Sequence, residues 1–372
     1  MVAMISLGLL SDSNAFRFSK SDESSLFKAT FVIDDYLSLP KIQIQTLRDS
    51  SGLCWRNPRL ADPHLHISAL MDSWKSILEL RHCKNLLLVT NKDEIYIKIL
   101  ENELPDFCHM SYLSQLNSSN LKELDTYSDH FAAQNKRNFD LIFFRHGLEH
   151  SINPLQILKN LSSSLSSKGT IVIEVPLFFG YENESFLEQF WEEHIFYFSV
   201  ETLLHLLSLA SLEAIDYKVI KTENEPVLAV IAQLNSKVTN ATATTILDRE
   251  LLFKRVNTDM NRSRTFFESI GNLKDTVLIG ANHKSINLID LVGSKNQRIF
   301  LLDGDSQKIG KFATRFDLEI LDIEELNYFK NADVFTTVST QKLRSIVNNH
   351  LPKYDRLNDI KNFYSAVRES VL

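Results

Sequence analysis

The chain alternates between short apolar, strand-like segments and amphipathic helical segments. Between residues 84 and 234 the strand-like segments are KNLLLVT, HMSYLSQL, FDLIFFRH and TIVIEVP, and helical patterns such as NPLQILKNLSSSL separate several of them. The helical spacing of Leu161 and Leu165 extends that helix through LSSSLSSKG. A last pair, EAIDYKVIK and PVLAVIAQL, is typical of an antiparallel hairpin at a sheet edge. The alternation predicts an α/β fold, with a mostly parallel sheet and helices on both faces.

A second strand–turn–helix pattern begins near residue 275, in DTVLIGANHKSINLIDLVG, and RIFLLDGD, LEILDIEEL and ADVFTTVS continue it. Between the two units, the polar segment NSKVTNATATT predicts a linker, and apolar residues at helical spacing predict a long helix over 246–271. The first 80 residues contain two strand-like segments, ATFVIDDYLSL and IQIQTLR, and one helical segment, HLHISALMDSWKSILEL. The predicted divisions are 1–80 (N-terminal region), 81–234 (first α/β domain), 235–271 (linker and helix) and 272–372 (second α/β domain).

Charge and cysteine content exclude several function classes. A net charge of −7 argues against nucleic acid as a partner. No apolar run reaches the length of a membrane helix, and the opening MVAMISLGLL lacks the basic start and the cleavage pattern of a signal peptide. The three cysteines lie far apart and form no CxxC pair, so neither a disulfide framework nor a zinc site is expected. We expect a cytoplasmic protein without membrane insertion.

The turn after the first strand of the 84–234 unit has an unusual composition. In doubly wound folds this turn normally contains glycine, because a side chain would block close approach of a nucleotide-like ligand. Here residues 89–94 read VTNKDE and contain no glycine. A ligand pressed against Lys92, Asp93 or Glu94 would meet a desolvation penalty. The composition therefore argues for a closed or remodelled pocket.

Several motifs, in the same order, resemble one family. FDLIFFRHGLEHSINPLQILKNLSSSLSSKGTIVIEVP resembles the fourth-to-fifth-strand region of class I S-adenosylmethionine-dependent methyltransferases, and FWEEHIFYFSVETLLHLL is similar to the HEHxxYFS segment of the sugar C-methyltransferases. VLIGANHKSINLIDLVG, LLDGDSQKIGKF and EILDIEEL resemble the C-terminal domain of those enzymes. LRDSSGLCWRNPRLADPHL resembles the end of their N-terminal zinc module. The resemblance covers residues 50 to about 330.

The resemblance implies a Rossmann-like class I methyltransferase domain, a second, smaller Rossmann-like domain and a small α+β N-terminal region. It implies S-adenosylmethionine as cofactor and a nucleotide-linked sugar, or a similar small molecule of polysaccharide biosynthesis, as substrate. The residues that correspond to family sites are Thr90, Asn91, Glu149 and His150 for the cofactor, His194, Glu193 and Tyr197 for catalysis, and Gly280, Lys284, Ser285 and Asp303 for the substrate. The histidine at 194 would act as the base that removes a sugar proton next to a carbonyl, a role that suits a neutral imidazole.

Departures from the family leave two hypotheses open. The positions of the zinc cysteines, near Asp49 and Ser51, offer no thiolate, so no zinc and no other metal is expected. The glycine-rich cofactor loop is absent, and HMSYLSQLN offers no acid for the ribose hydroxyls. The chain is then either a divergent methyltransferase or a catalytically inactive relative with a nucleotide-sugar-binding or structural role. The oligomeric state is left open.

Some of the candidate residues also have simpler structural interpretations. His194 would then be a hydrogen-bonded residue in an aromatic connector between a strand and a helix. Glu149 would favour the positive end of a helix dipole. Asn153 and Pro154 are typical of a helix start, with Asn153 as the cap. Asp303 would be a solvated strand end.

Overall fold

The computed structural model of the protein describes its sheets, its helices and part of their connections. The described residues are 5–6, 14–20, 27–33, 46–48, 54–56, 66–78, 80–90, 93–100, 104, 108–112, 139–151, 153–178, 186–189, 194, 196–221, 226–235, 249–271, 275–292, 298–313, 318–338, 340–351 and 359–369. The strands are β1 (Ile5–Ser6), β2 (Asn14–Lys20), β3 (Phe27–Ile33), β4 (Thr46–Arg48), β5 (Cys54–Arg56), β6 (Asn85–Leu88), β7 (His109–Tyr112), β8 (Phe139–Arg145), β9 (Leu165–Pro176), β10 (Phe196–Tyr197), β11 (Leu212–Lys221), β12 (Pro226–Leu234), β13 (Thr276–Ile279), β14 (Ile299–Asp303), β15 (Phe312–Ala313), β16 (Leu318–Asp322), β17 (Asp333–Thr336) and β18 (Lys361–Asn362). The helices are α1 (Ile67–Leu78), α2 (Glu94–Leu100), α3 (Pro154–Ser164), α4 (Phe186–Gln189), α5 (Val200–Leu209), α6 (Arg249–Gly271), α7 (His283–Val292), α8 (Thr340–His350) and α9 (Phe363–Glu369).

The first α/β unit is built on a mixed sheet with the strand order β11–β12–β9–β8–β6–β7. Strands β6 to β9 are parallel, and β12 runs antiparallel between β9 and β11. One face packs on α3 and α5 and the other on α1 and α2. Because both faces are covered, β6 is continuously apolar and its three leucines are fully buried. The predicted mostly parallel sheet is thus present, and so is the predicted antiparallel hairpin at its edge, formed by β11 and β12.

The order of the first sheet reverses between β6 and β8. The chain passes from β6 outward to β7 and then crosses back to β8 on the other side of β6. We call the crevice between the carboxyl ends of β6 and β8 the first switch point. In open α/β sheets, ligands bind at such a point.

One helix prediction is wrong in its second half. The segment LSSSLSSKG leaves the helical conformation at Leu165, where β9 begins. Leu165 pairs with Phe139 of β8, and the Ser166 hydroxyl donates to Asp140 Oδ1 at 3.0 Å. A Cβ atom on Gly169 would lie 2.5 Å from the Phe139 carbonyl oxygen, so this close approach of β8 and β9 requires glycine. Cross-strand pairing outweighs the helical spacing here.

The second α/β unit has the strand order β18–β17–β13–β14–β16–β15–β4–β5, in which the first five strands are parallel. The chain runs from β13 outward to β14 and β16 and returns to β17, so a second switch point lies between β13 and β17. Helix α6 packs on this unit through Phe267 and Phe266, whose rings lie 6.0 and 5.5 Å from that of Phe363. The predicted long helix begins at Arg249, and the predicted linker lies outside the described residues apart from Asn235.

The N-terminal strands divide between two sheets. Strands β1, β2 and β3 form an antiparallel sheet that is completed by β10, which lies late in the first unit. Strands β4 and β5 instead extend the second unit through β15. Asp49, Ser51 and Leu65 lie outside the described residues. Within the described part of the chain, no helix combines the length and the apolar character needed to cross a membrane.

Candidate functional site

The side chain of Asp93 joins the two strand ends at the first switch point. Its Oδ1 accepts a hydrogen bond from the Arg145 amide at 2.7 Å, and its Oδ2 accepts from the Thr90 amide at 2.7 Å and the Thr90 hydroxyl at 3.2 Å. Asp93 is completely buried. Burial raises its pKa from 3.8 to about 8, although the two amides act to lower it. The carboxyl group therefore lies in the crevice where the fold would place a ligand.

A buried polar network lies behind Asp93. Arg145 and Glu174 are in register on neighbouring parallel strands, and Arg145 Nε donates to Glu174 Oε2 at 3.3 Å. Glu174 also accepts from the Tyr96 hydroxyl and from His66 Nε2, the latter at 3.0 Å. Burial acts to raise the pKa of Glu174, but His66 and Arg145 together hold it below its usual value. Burial beside Glu174 raises the pKa of Tyr96 well above its usual value. The network is a set of mutually bonded polar groups at the strand ends.

At the described strand ends of the first switch point, the backbone amides of Thr90 and Arg145 are already bonded within the protein. A nucleotide-like ligand there binds bare main chain, which is why such turns contain glycine. Here the amides of Thr90 and Arg145 are already bonded to Asp93, and a ligand would have to displace this buried carboxyl group. Asn91 lies outside the described residues. The predicted cofactor residue Thr90 thus serves the protein's own turn.

A second group of polar residues follows β8. Glu149 and His150 lie in a short 3₁₀ turn, Leu148–His150, rather than in the first turn of α3. The His150 ring makes an edge contact with His194, with ring centroids 4.8 Å apart. We call Glu149, His150 and His194 the histidine cluster; all three are buried, and their potential ligand atoms lie within 4.8 Å of one another. The structure thus brings together two predicted cofactor residues and the predicted base.

Imidazole rings surround the carboxylate of Glu149. Its Oε1 lies 3.6 Å from His146 Nδ1 and 3.7 Å from His150 Nε2, and neither carboxylate oxygen has a hydrogen-bond partner within the described part of the chain. Burial acts to raise the pKa of Glu149, but His146, His150 and His194 together hold it well below its usual range. His146 itself has φ +43°, a left-handed conformation that is uncommon outside glycine and clusters at functional sites.

The remaining predicted catalytic residues flank His194. Tyr197 is buried in β10, and its ring lies 6.0 Å from that of His194, centroid to centroid. Ser199, which follows that strand, caps α5 by accepting from the Thr202 amide. Glu193 lies outside the described residues. Buried imidazoles beside a carboxylate can exchange protons or bind a metal ion.

The second switch point keeps the glycine that the first one lacks. Gly280 has φ +105°, and an added Cβ atom would lie 2.7 Å from Val338 Cγ1. The Ser285 hydroxyl donates to the Gly280 carbonyl at 2.5 Å and lies 2.7 Å from the Thr337 hydroxyl. Asn282 caps α7 by accepting from the Ser285 amide at 3.1 Å. These bonds fix a tight turn between β13 and α7.

Asp303 supports this turn from the end of the adjacent strand. Its Oδ2 accepts from the Ala281 amide at 2.8 Å and from Lys308 Nζ at 2.9 Å. Asp303 is buried, so its interpretation as a solvated strand end is wrong. The predicted phosphate-binding lysine, Lys284, instead forms an ion pair with Glu188 at 3.2 Å.

Glu188 links the second switch point to the first unit. Besides its ion pair, its carbonyl oxygen lies 3.0 Å from His283 Nε2, the first residue of α7. Burial and the neighbouring Lys284 lower the pKa of His283 well below its usual value, and His194 adds to this lowering.

Sequence reasoning missed the network of Arg145, Glu174, Tyr96 and His66. A signal was present, because Arg145 and Glu174 are the charged exceptions near the ends of two apolar strands and carry opposite signs. Buried charges of this kind are paired. From the sequence, Asp93 was expected to obstruct a ligand. Its hydrogen bonds to two strand ends could not be predicted, because they depend on the parallel pairing of β6 and β8.

Comparison with known proteins supports a methyltransferase domain. Residues 92–217, roughly a third of the chain, match the family described as a methyltransferase domain. This match and the mixed α/β sheet support a Rossmann-like fold of the class I methyltransferase type. No curated protein sequence matches the chain.

Several solved structures show a distant likeness to part of the chain. One is 1,6-didemethyltoxoflavin-N1-methyltransferase of Burkholderia thailandensis, with 14% identity, 48% of this chain and 92% of that chain covered, and a TM-score of 0.31. Another is a putative methyltransferase of Bacillus halodurans, with 10% identity, 45% and 100% covered, and a TM-score of 0.34. A third is a SAM-dependent methyltransferase of Aquifex aeolicus, with 12% identity, 48% and 98% covered, and a TM-score of 0.33. At these values the neighbours indicate neither a substrate nor a reaction for this chain.

Proposed function

We propose that this chain is a methyltransferase-fold protein that binds a nucleotide-linked sugar, or a similar activated metabolite, and does not use S-adenosylmethionine at its first switch point. The observation that carries the proposal is the contrast between the two switch points. In the first unit Asp93 accepts from the amides of both strand ends and the turn lacks glycine, whereas in the second unit Gly280 adopts a left-handed conformation and Asp303 accepts from one turn amide, that of Ala281. The resemblance to sugar C-methyltransferases supports a role for such a ligand in polysaccharide biosynthesis.

The closure of the first switch point rests on hydrogen-bond geometry. Asp93 accepts from two backbone amides, each at 2.7 Å, that belong to different strands. If Asp93 moved away, two buried N–H groups would lose their hydrogen-bond partners, and each loss would cost about 1–3 kcal/mol of folding free energy. A cofactor would have to replace both bonds and also accommodate the displaced carboxyl group.

The nucleotide part of the proposal rests on the turn at Gly280. Gly280 gives the turn its positive φ, and the N-terminus of the helix that follows, α7, favours an anion. The amide of Ser285 is capped by Asn282, and the other amides at the start of α7 belong to His283 and Lys284. Asp303 lies at the end of the adjacent strand, where dinucleotide-binding folds have their ribose-binding acid.

The contacts of Glu188 support a sugar position near the histidine cluster. Glu188 bonds to the first two residues of α7, and His194 influences the pKa of His283. A diphosphate at the start of α7 is therefore compatible with an attached sugar that faces His194. In this arrangement His194 would contact the sugar, with Tyr197 beside it.

Calorimetric titration of the full chain tests the proposal. We expect saturable binding of uridine diphosphate glucose or thymidine diphosphate glucose and no saturable heat with S-adenosylmethionine. Saturable binding of S-adenosylmethionine would refute the closure of the first switch point. Absence of binding by both sugar nucleotides would refute the nucleotide site.

A pair of glycine variants tests whether sugar-nucleotide binding depends on the turn at Gly280. Gly280→Ala forces a Cβ atom toward Val338 at 2.7 Å and should abolish sugar-nucleotide binding. Gly310→Ala is the matched control, because Gly310 also has positive φ, +74°, but an added Cβ atom there would meet nothing within 4 Å. Equal loss of binding in both variants would show that backbone strain, rather than the turn at Gly280, causes the effect.

The match to the methyltransferase family over residues 92–217 favours a second candidate function. In this alternative the chain is a divergent methyltransferase on a nucleotide-linked sugar, and His194 removes the sugar proton. The S-adenosylmethionine titration separates the two candidates. If the cofactor binds, His194→Asn should abolish methyl transfer without abolishing cofactor binding.

A further inference from the structure

The least compensated buried charge among the described residues is the carboxylate of Glu149. It is 1% exposed, and neither of its oxygens has a hydrogen-bond partner within the described part of the chain. By contrast, Asp93 accepts three hydrogen bonds and Glu174 is bonded to Arg145, Tyr96 and His66. A buried carboxylate without hydrogen bonds is stable only beside a cation.

The surroundings of Glu149 provide metal-ligand atoms. Ring nitrogens of His150 and His194 and a carboxylate oxygen of Glu149 all lie within 4.8 Å of one another, and the His150 Nε2–Glu149 Oε1 distance is 3.7 Å. Two atoms that bind one metal ion at about 2.1 Å in tetrahedral geometry lie roughly 3.4 Å apart. The His150–Glu149 pair, at 3.7 Å, is close to this value, and the widest pair, within 4.8 Å, would close by up to about 1.4 Å when an ion binds.

We propose that Glu149, His150 and His194 form a binding site for one divalent transition-metal ion of the Zn²⁺ class. Two imidazoles and one carboxylate are a ligand set for Zn²⁺ or Fe²⁺ that leaves coordination positions open, whereas Mg²⁺ and Ca²⁺ prefer oxygen ligands. His146, whose Nδ1 lies 3.6 Å from Glu149 Oε1, either orients that carboxylate or supplies a fourth ligand.

The local fold holds these ligands in place. Glu149 and His150 lie in a 3₁₀ turn shortly after β8, and His194 precedes β10, which contacts that turn. In sequence, the site is distant from the segment that resembles the family's zinc module, in which the cysteine positions fall near Asp49 and Ser51. With one carboxylate, a bound divalent ion keeps a net positive charge and an open position, which suits an oxygen atom of a small-molecule ligand. Metal binding here requires neither a nucleotide nor a methyl donor.

Zinc titration of the chelator-treated full chain, against a chromophoric competitor, tests the site. We expect uptake of one Zn²⁺ per chain. Glu149→Gln preserves shape but removes the charge, and His194→Asn removes one ligand; each should weaken Zn²⁺ binding by more than about tenfold. His82→Asn is the matched control, because His82 is exposed on a short helix remote from the cluster in sequence, and it should leave the affinity unchanged.

Cobalt substitution provides a readout that does not depend on the variants. Co²⁺ bound by the wild-type chain should give visible ligand-field absorption that Zn²⁺ abolishes stoichiometrically, and circular dichroism reports whether each variant is folded. No Zn²⁺ uptake by the wild type would overturn the proposal. So would unchanged affinity in folded Glu149→Gln and His194→Asn, or an equal loss in His82→Asn. If neither cluster variant folds, absence of the cobalt spectrum in the wild type overturns the proposal and its presence supports it.

Discussion

Replacement of Asp93 by asparagine would test how the first switch point is closed. The aspartate accepts from the amides of Thr90 and Arg145 through different oxygens, each at 2.7 Å. Asparagine has one acceptor oxygen, and its NH₂ group must face the other amide. One buried backbone N–H group then loses its partner, and the free energy of unfolding should fall by about 1–3 kcal/mol. Urea unfolding at pH 5, followed by circular dichroism, measures this change.

The same variant isolates a pH dependence. Because burial raises the pKa of Asp93 from 3.8 to about 8, the folded state holds a proton that the unfolded state releases. This carboxyl group therefore stabilises the fold at low pH, and its contribution declines between about pH 4 and 8, by at most about 1.4 kcal/mol per pH unit. The advantage of wild type over Asp93→Asn should shrink from pH 5 to pH 8. An advantage that grows with pH would refute the reasoning, since it would mean that the two amides outweigh burial and keep the group ionised.

Two further predictions concern buried groups of the same unit. Glu174→Gln leaves the guanidinium of Arg145 without its carboxylate, so the free energy of unfolding at pH 7 should fall by about 3–5 kcal/mol; a change below 1 kcal/mol would contradict a buried pair. Because the pKa of Glu174 is lowered in the fold, wild type should lose this contribution as pH falls below the usual glutamate range, whereas the variant should not. Burial raises the pKa of both Cys83 and Cys108, but only Cys83 is fully buried. In a Cys54→Ser background at pH 8, a thiol reagent should therefore modify Cys108 in the native protein and Cys83 only after unfolding; simultaneous modification would contradict this.

Much of the fold could be predicted because the pattern of apolar residues follows burial. Strands such as β6 and β13 are apolar on both faces, and their period and length differ from those of the helices between them. The cap of α3 was also predictable, since Asn153 accepts from the Gln156 amide at 3.1 Å and Pro154 follows it. The end of α3 was not, because the pairing of Leu165 with Phe139 depends on a strand more than twenty residues away.

The sequence predicted which residues belong to the candidate site better than it predicted which residues they contact. The resemblance selected Glu149, His150 and His194, which the fold brings together. It could not show that Lys284 binds Glu188, since this pair joins segments that are 96 positions apart. The closure by Asp93 also depends on two strands being neighbours, which residue spacing alone does not encode. The partners of Glu188 and Asp93 are therefore determined by the arrangement of the strands and helices in the fold.

The N-terminal strands are divided between two sheets, and this division limits how far apart the two sheets can move. Strand β3 pairs with β10 and β4 pairs with β15, so the connection between β3 and β4, residues 34–45, joins strands of two different sheets. Twelve residues extend to roughly 40 Å at most, so while both pairings hold, the end of β3 and the start of β4 stay within that reach of each other. Truncation before residue 57 would remove the partner strands of β10 and β15 at once. The exposed backbone would then be available to another chain, and self-association rather than loss of one domain would be the outcome.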